Sequence, residues 1–166
     1  MTTSPVEPAG RRLPVRVLRD PVHVLALGFG SGLAPFAPGT FGSVVGLVIG
    51  LAVLQLGFTF ACVATAVAVL AGFWICGESA RRLGVHDHPA IVWDEIAGMM
   101  ITLLAAPATW WGALLGFALF RLFDVWKPWP IREIDHGMGG GAGIMLDDVL
   151  AGILSAGALW LAGNYF

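Results

Sequence analysis

The sequence predicts an all-α membrane protein, a polytopic helix bundle of about four to five spanning helices behind a short or re-entrant N-terminal segment. Two observations carry this reading. Of 166 residues, 57% are hydrophobic and only 12% charged, with a mean hydropathy of +0.82, whereas soluble domains carry about 25% charged residues. From Pro21 to Gly77 the chain contains no Asp, Glu, Lys or Arg. A soluble protein of this size cannot hold such a run away from water, and the run is long enough for more than one membrane helix.

The elements follow in order. Residues 1–20, MTTSPVEPAGRRLPVRVLRD, have no apolar stretch ahead of their arginines and therefore read as a basic cytoplasmic arm instead of a cleaved signal peptide. Arg11, Arg12, Arg16 and Arg19 are expected to hold this arm inside and to meet anionic headgroups. Residues 21–166 then form one membrane-embedded domain. Val22 to Ala34 is apolar but interrupted by Gly28, Gly30 and Gly32, and Pro35, Pro38 and Gly39 follow, so it is expected as a short or re-entrant segment and a structured loop. Apolar helices are expected over about Thr40–Gly57 and Thr59–Gly77, each near the ~20 residues a bilayer requires. A polar loop at 78–89 carries Arg81 and Arg82, and a third helix covers Ala90–Ala106 with Asp94 and Glu95 in its first turns. Pro107 marks a turn before a fourth helix from Thr109 to Asp124. A loop at 125–146 with Lys127, Arg132 and a glycine run follows, and Asp147 and Asp148 open the last helix. Threaded from an inside N-terminus, all nine Lys and Arg fall on the cytoplasmic side.

Several function classes lose support at this stage. A net charge of −2 gives no basic field for nucleic acid. Cys62 and Cys76 lie in apolar helical text at a spacing that fits neither a redox pair nor a zinc site. Cys76 and Arg82 match the C-x5-R spacing of cysteine phosphatases, but that chemistry requires a strand-to-helix phosphate loop, and Cys76 closes an apolar helix. No G-x-S-x-G elbow or D-x-D pair is present, which disfavours a covalent intermediate.

The chemistry gathers in the acids. The threading places Glu78, Asp87, Asp94, Glu95, Asp124, Glu133, Asp135, Asp147 and Asp148 at one membrane face. A carboxylate below the headgroups costs about 2.5–3.5 kcal/mol, so Asp94, Glu95, Asp124, Asp147 and Asp148 require compensation. Hard oxygen ligands from separate helices suit Mg²⁺, which takes its remaining oxygens from water and a substrate phosphate. The competing reading pairs these acids with Arg81, Arg82, Arg121, Lys127 and Arg132 alone. Arg121, three residues before Asp124, together with Lys127 and Arg132, supplies candidate phosphate clamps, although a lysine between Trp126 and Trp129 can equally be an interfacial snorkelling residue. His86, Asp87 and His88 are candidates for proton handling or for orienting a metal ligand. Ser31, Thr40 and Ser43, in the glycine-rich loop 28–43, are candidates for lining a headgroup pocket. A small transporter or ion pathway is the alternative function, since intramembrane acids also mark ion routes.

Four ordered blocks, GFGSGLAPFAPGTFGS, GVHDHPAIVWDEIAGM, FRLFDVWKPWPIREID and GGGAGIMLDDVLAG, resemble the phosphatidylglycerophosphatase A family over about residues 22–160. The resemblance implies a bacterial, Mg²⁺-dependent enzyme of the inner membrane that hydrolyses phosphatidylglycerophosphate to phosphatidylglycerol and inorganic phosphate, with its active site on the cytoplasmic side. It carries over His86, Asp87, His88, Asp94, Glu95, Asp124, Lys127, Asp147 and Asp148 as site residues. With no covalent route in the sequence, direct attack by metal-activated water is the expected mechanism. The implied partners are the anionic phospholipid substrate and membrane lipids, with no nucleic acid, and self-association is left open.

Overall fold

A computed structural model describes residues 13–129, 131 and 140–165. Six α-helices carry these residues: α1 Pro21–Ala26, α2 Pro38–Gln55, α3 Phe58–Leu83, α4 Trp93–Leu103, α5 Trp110–Trp126 and α6 Gly140–Tyr165. No strand occurs among them. Short 3-10 turns at Val15–Arg19 and Gly28–Leu33 flank α1. Phe29 and Gly30 adopt φ of 58° and 99°, which turns the chain back after six helical residues and keeps the N-terminal segment short.

Helix ends follow from local chemistry. Pro38 occupies the first turn of α2, where its missing N–H costs nothing. Gly84, at φ 70°, ends α3 behind Arg81 and Arg82, whose charges suit a helix C-terminus. Thr109 caps α5 by accepting the Gly112 N–H at 3.0 Å.

Three boundaries differ from the sequence expectation. α3 runs six residues into the stretch expected as a polar loop, to Leu83, because Glu78 pairs with both Arg81 and Arg82 at 2.7 Å, three and four residues on. α6 begins at Gly140, so Asp147 and Asp148 lie inside the helix instead of opening it. Gly141 there is a packing position: a Cβ on it would lie 2.0 Å from the Phe73 carbonyl oxygen of α3. α4 begins only at Trp93, since the Val92 N–H donates to the Ala26 carbonyl at 2.8 Å and holds the preceding residues off the helix.

Among the described residues, α2, α3 and the Gly140–Gly163 part of α6 are long and apolar enough to cross a membrane. The 11 residues of α4 reach only about 16 Å of the ~30 Å hydrocarbon layer. α4 is instead the bundle's centre, packed by α2, α3, α5 and α6, and most of its residues are buried. The outer helices turn Val48, Val63, Val67, Leu70, Leu114 and Ile153 outward. Exposed aromatics mark both ends, Phe29, Phe36, Trp126 and Trp129 at one and Trp110, Trp111 and Trp160 at the other, the positions interfacial belts occupy.

Small residues set the distances to α4. A Cβ on Gly46 of α2 would lie 2.8 Å from the Ile96 backbone, and one on Gly152 of α6 would lie 2.5 Å from the Gly98 carbonyl. Backbones this close are the means by which helices associate where lipid removes the hydrophobic drive. Thr102 Oγ1 donates to Gly98 O at 3.0 Å and lies 3.5 Å from Gly152 O, at the same crossing. The N-terminal segment is clasped to α3 by Arg82 Nη1 on Asp20 at 2.6 Å and by a buried contact of His23 Nδ1 with Ser79 Oγ at 2.9 Å.

Gly152→Val is therefore expected to lower the melting temperature in detergent by several degrees, equivalent to about 1–3 kcal/mol of overpacking. Gly157→Val, whose added Cβ meets nothing within 4 Å, should leave it within about 1 °C. Equal shifts in thermal denaturation would disprove the crossing.

Candidate metal and phosphate site

Four elements converge at one end of the bundle: the first turn of α2, the first turn of α4, the last turn of α5 and the third turn of α6. Asp94 and Glu95 enter from α4, Asp124 from α5, and Asp147 and Asp148 from α6. A carboxylate at the start of α4 is favoured by the positive end of its dipole. Asp148 has no such support, because it lies more than two turns inside α6.

The pairing of charges separates these acids into two sets. Arg121 Nη1 pairs with Asp124, and Lys127 Nζ pairs with Asp147 at 2.6 Å. No ion pair among the described residues reaches Asp94, Glu95 or Asp148. One ligand oxygen of each of these three lies within 4.8 Å of the others. Asp94 Oδ1, Glu95 Oε2 and Asp148 Oδ1 are buried without a hydrogen-bond partner. Asp124 adds a fourth carboxyl group beside Asp148 and Glu95. Buried carboxylates facing one another repel and lose hydration, a cost of several kcal/mol per ion when uncompensated. A hard divalent cation satisfies such a donor set, and the orphaned oxygens are where it would bind.

Glycines admit this geometry. Asp94 and Gly98 stand one turn apart on α4, as Asp148 and Gly152 do on α6, so the Gly98–Gly152 crossing brings the two carboxylates together. On α2, a Cβ at Gly39 would lie 2.2 Å from Glu95 Oε1 and 3.4 Å from Arg121 Nη1. One turn along, Ser43 Oγ donates to the Gly39 carbonyl at 2.8 Å and accepts from Arg121 Nη1 at 3.2 Å. Ser43 is thus a brace for the arginine. Lys127 takes a left-handed conformation, φ 45°, just past the end of α5, which turns its side chain across to α6.

The other residues singled out in the sequence are spread more widely. Ser31 Oγ is buried without a partner in the loop beside Gly28. Thr40 lies half-buried in the first turn of α2. His88 is buried, and its Nδ1 accepts the Ala90 N–H at 3.1 Å. His86 and Asp87 are exposed in the same loop and make no hydrogen bond or ion pair with another described residue. Arg11, Arg12, Arg132, Glu133, Asp135 and His136 lie outside the described residues, as do Gly137 and Gly139. Cys76 is fully buried in α3 with Met145 Sδ at 3.8 Å, which removes the cysteine-phosphatase reading.

Sequence reasoning missed Gly39, Gly98 and Gly152. The signal for Gly98 and Gly152 was present as D-x3-G at 94–98 and 148–152, a glycine one turn behind an acid on each of two helices.

An acidic pocket flanked by a guanidinium and an ammonium, at the end of a bundle with lipid-facing sides, is the layout of a membrane phosphohydrolase. Comparison with known proteins agrees. The family model for phosphatidylglycerophosphatase A matches residues 24–163, and the chain belongs to this family of phosphoric monoester hydrolases. It is 43% identical over 150 residues to phosphatidylglycerophosphatase A of Escherichia coli K12, covering 90% of this chain and 87% of that one. The Haemophilus influenzae protein of the same name is 49% identical over 138 residues, 82% of this chain and 85% of its own. A Bacteroides thetaiotaomicron protein provisionally named a phosphatidylinositol-3-phosphatase is 40% identical over 152 residues, 84% of this chain and 94% of its own. No solved structure gives a significant match.

Gly39→Ala tests the approach of α2. The new methyl group meets the mobile end of Glu95, not a backbone, so the melting temperature should change little while phosphatase kcat/KM falls about tenfold or more, ~1.4 kcal/mol. Unchanged kcat/KM would remove Glu95 from the site.

Proposed function

We propose that this enzyme hydrolyses the terminal phosphate monoester of phosphatidylglycerophosphate to phosphatidylglycerol and inorganic phosphate, using Mg²⁺ held by Asp94, Glu95 and Asp148. Family membership supports the substrate. The single observation that supports the metal is the set of three adjoining carboxylates whose buried oxygens no cationic side chain reaches. The site belongs at the cytoplasmic face of the bacterial inner membrane, with the basic arm, residues 1–20, on the same side.

When bound, the ion would neutralise phosphoryl oxygens and lower the pKa of an attacking water. The protein's own groups supply the rest. Arg121 is braced by Ser43 and Asp124, so its guanidinium is oriented before the substrate arrives and can donate two parallel hydrogen bonds to the phosphate. Lys127 stands over Asp147 and gives a second positive charge to the same ester. Asp124 and Asp147 hold these cations in place and complete the acidic pocket. Ser31 and Thr40 lie on the loop and helix start that would face the glycerol headgroup.

Hydrolysis breaks the phosphorus–oxygen bond to glycerol as water attacks phosphorus in line. One proton leaves the water and one reaches the departing oxygen. His86, Asp87 and His88 carry these proton roles. With Nδ1 committed to the Ala90 N–H, neutral His88 holds its proton on Nε2, the nitrogen free to donate. No observation favours the transporter, since the buried acids collect at one end of the bundle and α4 beyond them packs Met99, Met100 and Leu103.

Phosphate release from the lipid in mixed micelles should vanish with chelator and return with added Mg²⁺. Asp94→Asn and Asp147→Asn should each reduce it at least about a hundredfold, ~2.7 kcal/mol of transition-state stabilisation, with Cys76→Ser nearly unaffected. Rates indifferent to chelation, or an active Asp94→Asn beside an inactive Cys76→Ser, would overturn the proposal.

A further inference from the structure

Arg121 has two neighbourhoods, and only one belongs to the carboxylate site. Its guanidinium turns inward to Asp124 and Ser43. On the outer side of α5, Ala118, Arg121, Leu122, Val125 and Trp126 line an open groove of about 890 Å³. These positions follow the i, i+3, i+4, i+7, i+8 pattern of one helix face. Leu122, Val125 and Trp126 are 51%, 72% and 68% exposed, so no other part of the described chain covers them. Ala118 supplies the space between its larger neighbours.

The groove follows α5 from its inner end over residues 118–126, about 12 Å, most of the ~15 Å hydrocarbon depth of one leaflet. It is apolar along its length and shares one cationic residue with the site. That combination selects an amphiphile with an anionic head and an aliphatic body. A soluble phosphate ester would leave the apolar wall unused. A second copy of this chain would place hydrocarbon against Arg121.

Resting on the phosphatase reading above, we propose that this groove holds an acyl chain of the lipid substrate, and that the phosphate monoester enters the carboxylate site laterally from the bilayer, past Arg121. Because lipid tails are as apolar as leucine, the groove gains little from hydrophobic transfer. Its contribution is orientation: an acyl chain laid along α5 sets the phosphate beside the guanidinium and excludes geometries that a freely diffusing headgroup would sample.

The measurement is the ratio of kcat/KM for long-chain phosphatidylglycerophosphate in mixed micelles to kcat/KM for its deacylated, water-soluble headgroup, in the full-length enzyme with Mg²⁺. Ala118→Trp fills the groove, and the double variant Leu122→Ala/Val125→Ala strips its wall. Each is expected to lower the ratio about tenfold, whereas Val67→Trp, on the lipid-facing side of α3, leaves it unchanged. All these positions point outward, and an unaltered melting temperature confirms folding. A ratio unchanged in both groove variants, or a wild-type enzyme that hydrolyses the deacylated headgroup as efficiently as the lipid, would overturn the groove while leaving the phosphatase intact. Release from neither substrate by the wild type would overturn the phosphatase reading itself.

Discussion

The close approach of α4 to the helices on either side of it is the constraint on which this structure depends. α4 is too short to span a bilayer and has no lipid-facing role of its own. It stays in place because Gly46 on α2 and the Gly98–Gly152 pair let backbones meet at distances no larger residue permits. In lipid there is little hydrophobic gain from burying one apolar helix against another, so contact geometry and backbone proximity must supply the association. The same crossings decide where the carboxylates sit, since Asp94 and Asp148 each precede a crossing glycine by one turn.

That arrangement opposes itself electrically. Close packing holds Asp94, Glu95 and Asp148 together and buried, while desolvation and mutual repulsion favour their separation. Two of the five acids are relieved by Arg121 and Lys127, and the remaining three are not. Stability and function are thus in tension at this end of the bundle, as is common where a site is preorganised for a cation and an anionic ligand. The far end, with Leu103 and Leu159 buried, holds the helices against that repulsion.

Much of the fold was legible from residue chemistry. The uncharged run, the turn at Gly57, Pro107 and the acids at helix starts located α2, α4 and α5 to within a few residues. Boundaries failed where one residue type serves two purposes. Glu78, Arg81 and Arg82 look like a loop by polarity but stabilise a helix by pairing at three and four residues. Gly140, Gly141 and Gly143 look like a flexible connection, yet Gly141 lies directly against the α3 backbone. The same ambiguity hid Gly39, whose role is visible only once Glu95 lies against it.

The sequence by itself determined that the chain is helical and apolar enough for lipid, that the acids and bases among its described residues collect at one end, and which residue types are available there, because hydropathy and charge act locally along a chain. It also carried the family likeness that the comparisons bear out. Only the tertiary structure decided which acids are paired and which are left facing one another. Two helices distant in sequence must first cross at a pair of glycines, and no local pattern states the angle or distance at which they do.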